Sequence, residues 1–359
     1  MSSSNLSFVL PHNNLLNPLW KVLSKALLQH TGSYNSFFVG FASVQLEMSV
    51  LKILSPALVA RPLTSLYFLG NNLSSDQLVI ISDIIEQIPT LEAFAIARNR
   101  LDDKDEDVTT RLSTAIKCHP NLKRLVLASC SIGNNKTMLS CIRNKSLVNI
   151  DLASNGITSS GAYIISKFLA KAKDRCLAKL SLEDNKFNDK DALLFASALK
   201  LNKTLTLLNL KKNDISQKGL HVLKKSLFDE SSLNTMADCN HNCRIVVHKD
   251  NGNKGTDFIE SINNPGVTTS ASYFGRKNKI LKIMFKTKKG CMDLRHYEDL
   301  PVELFPDVLS FIQYEKAGIS KAKMHTLLFE LLRAYPCIFV ARKNLEQVVL
   351  SRKRKHNVL

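Results

Sequence analysis

Hydrophobic and polar positions repeat down the middle of the chain in a fixed phase. Residues 147–157 read L-V-N-I-D-L-A-S-N-G-I, 177–187 read L-A-K-L-S-L-E-D-N-K-F, and 205–215 read L-T-L-L-N-L-K-K-N-D-I. Each line opens on Leu, places an aliphatic residue fourth and Leu sixth, Asn ninth, and closes on an apolar residue. The alternation around the fourth and sixth places predicts a short strand buried on one face. The Asn stands where the chain leaves that strand, and its amide can bond backbone groups that the turn would otherwise leave unpaired. Apolar residues then return at helical spacing: Ala162, Ile165 and Leu169; Ala192, Phe195 and Leu199; Leu220, Leu223 and Leu227. One strand and one helix cannot bury their apolar faces alone, whereas stacked copies can, so the pattern predicts a solenoid.

The same phase extends towards the N-terminus. Leu63, Leu66, Phe68, Asn71 and Leu73 form one line, and Leu91, Phe94, Ile96, Asn99 and Leu101 a second. Leu122, Leu125, Leu127, Cys130 and Ile132 form a third, with Cys in the Asn place. A seventh line, from Leu233 and Met236, loses the pattern at Asp238 and is expected to be the closing edge strand. Starts at 63, 91, 122, 147, 177, 205 and 233 are about 28 residues apart, long enough for a helix in every repeat. Residues 14–29 and 44–59 read as helices, and 1–61 is expected to cap the open end, with room for one degenerate repeat. The expected domains are therefore a cap at 1–61, about seven repeats at 62–248, a linker at 249–275 and a basic helical region at 276–359. In that last region helices are expected at 277–287, 302–314 and 321–334.

Over about residues 63–245 the chain resembles the ribonuclease-inhibitor-like class of intracellular leucine-rich repeat proteins. The class includes that inhibitor, the activator of the Ran GTPase and the sensor regions of nucleotide-binding immune receptors. The resemblance implies an α/β fold, a right-handed horseshoe of parallel strands and helices. Two departures limit what it carries over. This chain is poorer in cysteine than the inhibitor, and it ends in a basic run where the Ran activator is acidic.

Composition adds charge to this picture. The 359 residues are 45% hydrophobic and carry a formal net charge of +18. The segment 276–359 holds 18 Lys and Arg against 8 Asp and Glu, an excess of ten. Weak electrostatic contact of this region with acidic partners is the expectation. Met1–Ser7 is polar, and the apolar run that follows is broken by Lys21 and Lys25, so neither a signal peptide nor a membrane span is expected. Eight scattered cysteines then read as reduced packing thiols. A cytoplasmic chain is expected, with the terminal Arg352–Lys355 run offering the nucleus as a second destination.

Chemistry-bearing motifs are few. Asp102–Asp107 lacks the Gly and Glu an EF-hand would need at Val108 and Thr114, and reads instead as an acidic helix start. Cys239, His241, Cys243 and His248 are zinc-ligand types at a spacing that fits no finger or ribbon. Leu300-Pro301-Val302-Glu303-Leu304 resembles the opening of an F-box, without the later Trp. No phosphate loop, nucleophile elbow or zincin helix is present, so no enzyme activity and no cofactor are expected.

The strand positions that alternate outward are the candidate site, because solenoids act mostly through their extended concave surface. They are Tyr67, Arg98, Arg124, Asn149, Asp151, Lys179, Glu183, Asp184, Asn209, Lys211 and Lys212. Their expected role is to bind a partner protein whose identity the chain does not name. The alternatives are a small-GTPase regulator similar to the Ran activator and an F-box-like ubiquitin-ligase adaptor.

Overall fold

The computed structural model describes residues 17–29, 37–102, 104–171, 176–229, 231, 235–236 and 238–247, together with 263 and 279. Two compact units are present, Met1–Leu227 with Asn240–Val267, and Phe228–Cys239 with Thr268–Leu359. In the second unit local hydrogen bonds hold the described residues near Asp229 and Cys239. Asp229 accepts hydrogen bonds from the backbone N–H and hydroxyl of Ser231, and the Cys239 N–H donates to the carbonyl of Met236 at 3.1 Å.

The first unit is the solenoid. Its strands are β1 (Phe37–Ala42), β2 (Leu63–Leu69), β3 (Ala93–Ala95), β4 (Arg124–Val126), β5 (Asn149–Asp151), β6 (Lys179–Ser181), β7 (Leu207–Asn209) and β8 (Arg244–Val246). They form one sheet in sequence order, with every neighbouring pair parallel. The helices are α1 (Asn17–Gln29), α2 (Met48–Val59), α3 (Ser75–Gln87), α4 (Glu106–Cys118), α5 (Lys136–Leu139, running into a 3-10 turn at Ser140–Arg143), α6 (Ser159–Ala170), α7 (Asp189–Leu201) and α8 (Gln217–Leu227). Strands pack about 4.8 Å apart and helices about 8–10 Å apart. One of each per repeat therefore bends the stack into an open α/β horseshoe with the sheet on the inner, concave side.

The core is a set of ladders. Leu66, Phe94, Leu125, Ile150, Leu180, Leu208 and Ile245 face one another across the sheet, and all are buried. The helical positions read from the sequence, such as Ile165, Leu169, Phe195 and Leu199, are fully buried behind them. Asn71, Asn99, Asn155, Asn185 and Asn213 form a polar ladder beside this core. Asn185 Nδ2 donates to the carbonyls of Leu152, Leu182 and Glu183, while its Oδ1 accepts the N–H groups of Asn155 and Ile157. In the Cys130 rung the thiol donates to the carbonyl of Ile96 at 3.3 Å, and burial pushes its pKa up to about 12.

Two features differ from expectation or lie outside it. The closing strand is Arg244–Val246, not the segment at Leu233 and Met236. Met236 has helical backbone in the second unit, and Leu233 lies outside the described residues. The line C-R-I-V-V at 243–247 is one residue short of the repeat between its opening place and its core positions, which hides it from the pattern. A second polar ladder runs where chains leave the helices, through His119, Asn144, Asn202 and Asn240. Their side chains reach the carbonyls of Ile88, Ile116, Leu169 and Leu199, each in the preceding repeat. Asn263, within the expected linker, adds a further rung by donating to the carbonyls of Asn240 and Cys243. Inside 1–61, the segment read as a cap with room for one degenerate repeat, β1 and α2 supply a strand and a helix that join the same stack.

Of the acidic run, Glu106 and Asp107 form the first turn of α4 and Asp102 is paired to Arg100. Cys243 is buried, and its neighbour Asn240 belongs to the second ladder. Among the described residues no group of side chains is placed to hold a metal, and no helix is long and apolar enough to cross a membrane. The F-box-like stretch at 300–312, the helices expected in 276–359 and the Arg352–Lys355 run lie outside the described residues.

Candidate functional site

Register places the candidate residues in rows across the inner face of the sheet. One row runs Phe38, Ser65, Ala93, Arg124, Asn149, Lys179, Leu207, Arg244. The next runs Gly40, Tyr67, Ala95, Val126, Asp151, Ser181, Asn209, Val246. Both rows alternate with the buried ladder, because successive strand residues point to opposite faces. A third row, with Ala97, Ala128, Ala153, Glu183 and Lys211, continues each chain beyond its strand.

The residue after this third row turns the chain out of the sheet. Arg98, Ser129, Ser154, Asp184 and Lys212 all have φ between 52° and 59°, and Gly70 has φ 63° in the same place. Left-handed backbone costs a residue with a Cβ about 1–2 kcal/mol, and the ladder Asn that follows in most repeats compensates by bonding the turn's carbonyls. Arg98, Asp184 and Lys212 are thereby held at the rim of the face, exposed.

The two halves of the face differ chemically. At the β1–β2 end Phe38 is 61% exposed and meets Tyr67 edge to face, with ring centroids 4.9 Å apart. On β3 and just beyond it the small side chains Ala93, Ala95 and Ala97 are buried rather than solvent-facing. An outward methyl lies below its longer neighbours and is covered by them. Towards β8 the face is charged. Glu183 accepts a hydrogen bond from Asn209 Nδ2 at 2.9 Å and has Lys212 Nζ at 3.4 Å. Asp184 accepts from the Ser154 hydroxyl at 2.7 Å, and Asp151 accepts from the Ala153 N–H at 3.0 Å. Asn209 Oδ1 accepts the Lys211 N–H. Asn149 has a buried Oδ1 with no hydrogen-bond partner.

Arg124 and Lys179 are exposed, Lys211 and Arg244 half-buried, and among the described residues none of them forms an ion pair. Sequence reasoning misses Arg244 because it puts the closing strand at 233. The alternation of buried Ile245 and Val247 with Arg244 and Val246 is the signal that could have found it. Glu183, with Asn209 and Lys212, belongs to a network internal to the face, so it is not a free surface charge as its sequence position suggests. The eleven predicted residues thus share one face, with Tyr67 at the aromatic end and the rest from β3 to β7.

Comparison with known proteins follows from this geometry. The sequence model of the family described as Leucine Rich repeat matches residues 143–166 and 201–223. The chain is similar to the human NACHT, LRR and PYD domains-containing protein 13, 26% identical over 239 residues, which is 65% of this chain and 22% of that protein. It is 29% identical over 157 residues to the mouse NACHT, LRR and PYD domains-containing protein 4C, covering 42% of this chain and 15% of the relative. A stretch of 80 residues, 22% of this chain, is 36% identical to 7% of the Rho GTPase-activating protein gacW of Dictyostelium discoideum. The chain therefore spans less than a quarter of the length of each of these relatives. Among solved structures, internalin C2 of Listeria monocytogenes is similar at 17% identity with a TM-score of 0.27, over 50% of this chain and 78% of that one. Repeat register, asparagine ladder and matched segments agree, and the chain is a leucine-rich repeat protein.

Proposed function

We propose that this chain is a non-enzymatic binding module that takes a partner protein on the inner face of its sheet. The observation that carries the reading is the division of labour among the side chains. The ladders, turns and helices use the buried residues of every repeat, whereas Arg98, Arg124, Lys179 and Lys211 have no ion pair among the described residues. Leucine-rich repeats generally serve protein–protein interaction, and an extended concave surface is how solenoids usually do so.

The test is the double charge reversal Arg124→Glu and Lys179→Glu in the full chain, beside a control reversal at the exposed Lys190 on α7. Exposed substitutions away from the core change stability by about 0.5 kcal/mol or less, so circular dichroism should show an unchanged fold. Quantitative affinity capture from cells should then lose partners with the double variant and keep them with the Lys190 variant. Retention of every partner by the double variant would refute binding at this face.

A second reading, regulation of a small GTPase, rests on the 80-residue likeness to a Rho GTPase-activating protein. Single-turnover GTP hydrolysis by Rho- and Ran-type GTPases, with and without this chain, decides it. We infer from the basic Arg352–Lys355 run that the nucleus is one destination of the protein. The F-box-like adaptor reading rests on Leu300–Leu304 alone.

A further inference from the structure

We infer that the partner segment seated on this face is an acidic α-helix, with carboxylates spaced seven residues apart, lying across strands β4 to β8. The inference rests on the docking reading above and deepens it.

Three cations stand on the same row and on alternate strands, Arg124 on β4, Lys179 on β6 and Arg244 on β8. Arg244 Nε is buried and has no hydrogen-bond partner, and no ion pair forms at the three residues among those described. Arg98 and Lys211 add two further cations without an ion pair. The carboxylates of the face do not answer them. Glu183 is engaged by Asn209 and Lys212, Asp184 by Ser154, and Asp151 by the Ala153 backbone. Aligned positive charge is thus left for an external anion.

Spacing selects the form of that anion. Alternate strands put the cations about 9.6 Å apart along the row. A helix rises about 1.5 Å per residue, so positions i, i+7 and i+14 lie about 10.5 Å apart on one side of it. The flexible stems of Arg and Lys absorb a difference of this size. An extended peptide repeats the same side about every 6.8 Å, out of step with the middle cation. Single-stranded nucleic acid usually needs aromatic platforms, and rows β4 to β8 hold none, only Val126, Leu207 and Val246 beside the polar groups.

Two synthetic helical peptides of about 20 residues and identical composition test the inference. One carries Glu at i, i+7 and i+14, the other carries the three Glu residues at i, i+5 and i+10, on different sides of the helix. Binding to the full-length protein is read by fluorescence anisotropy, with oligouridylate as a third ligand. The heptad peptide should bind about three- to a hundredfold tighter than the other, since three surface ion pairs at about 0.2–1 kcal/mol each sum to that range. The neutral triple variant Arg124→Gln, Lys179→Gln, Arg244→Gln should lose that preference, whereas Lys190→Gln on α7, away from the face, should keep it. Equal affinity for the two peptides, or tighter binding of oligouridylate, would overturn the inference. If the triple variant does not fold, the peptide comparison on the native protein still decides. Loss of cellular partners on charge reversal without any heptad preference would leave the docking face standing and remove only the helix.

Discussion

At the scale of the residue, His119 is the rung of the second ladder that differs chemically from its neighbours. Its Nε2 lies 2.9 Å from the carbonyl of Ile88, and its Nδ1 accepts the N–H of Asn121 at 3.3 Å. Those partners suit a neutral ring. Burial lowers the pKa below 6.5 and outweighs the Ile88 carbonyl, which favours the charged form. The folded value lies below the unfolded one, so the unfolded chain binds the proton more readily. The stability linked to His119 is therefore complete above about pH 6.5, and is lost as pH falls from there through the lower folded value. Asn fills the same place at Asn144, Asn202 and Asn240 and has no such titration. For His119→Asn, urea midpoints at neutral and mildly acidic pH should show a smaller acid loss than the parent's. An equal loss in both would remove His119 as the source.

At the scale of the element, the starts of the late helices are fitted to the preceding repeat. Asn134 Oδ1 accepts the N–H groups of Thr158 and Gly161 at the start of α6. Asp189 does the same for Ser216 and Gly219 at the start of α8, and the Ser216 hydroxyl leads the effects that lower its pKa. A donor-rich helix start welcomes these acceptors, and the close approach leaves no room for a side chain. A Cβ on Gly161 would lie 2.2 Å from Ile157 Cγ2 and 3.0 Å from Asn134 Oδ1. Gly→Ala inside a helix ordinarily gains up to about 1 kcal/mol, whereas overpacking against a β-branched side chain costs about 1–3 kcal/mol. Gly161→Ala should therefore lower the melting temperature, and a rise would mean that α6 can move away from the cap.

At the scale of the whole molecule, Asn99, Asn155, Asn185 and Asn213 each bond the preceding repeat as well as their own, so the ladder couples the stack. Asn185 holds Leu152, Asn155 and Ile157 of the preceding repeat in the middle of the solenoid. Asn185→Ala leaves several buried groups unpaired, at about 1–3 kcal/mol each. The loss falls on the interface between repeats, where solenoid cooperativity resides. Urea unfolding should become broader or biphasic, with a reduced slope, in contrast to a core change that moves the midpoint alone. A sharp transition of unchanged slope would show that packing alone couples the repeats.

Much of this architecture is determined by the sequence itself. The fixed offsets of Leu, Asn and helical apolar residues specify strand, turn and helix locally, and identical units can bury those faces only by stacking. Tyr67, Arg124, Lys179, Asn209 and the other candidate positions followed, because alternation along a strand assigns each residue a face. What the pattern could not reach depends on contacts between distant repeats. The closing strand at Arg244–Val246 breaks the spacing by one residue, and only its pairing with Leu207–Asn209 identifies it. The second ladder uses His and Asn at places that look like ordinary loop residues until carbonyls about a repeat earlier are brought beside them. The burial of Ala93, Ala95 and Ala97, and the capture of Glu183 by Asn209 and Lys212, likewise arise from side chains on adjacent strands or turns. Local periodicity determines which face a residue occupies, and tertiary packing decides whether it is still free there to meet a partner.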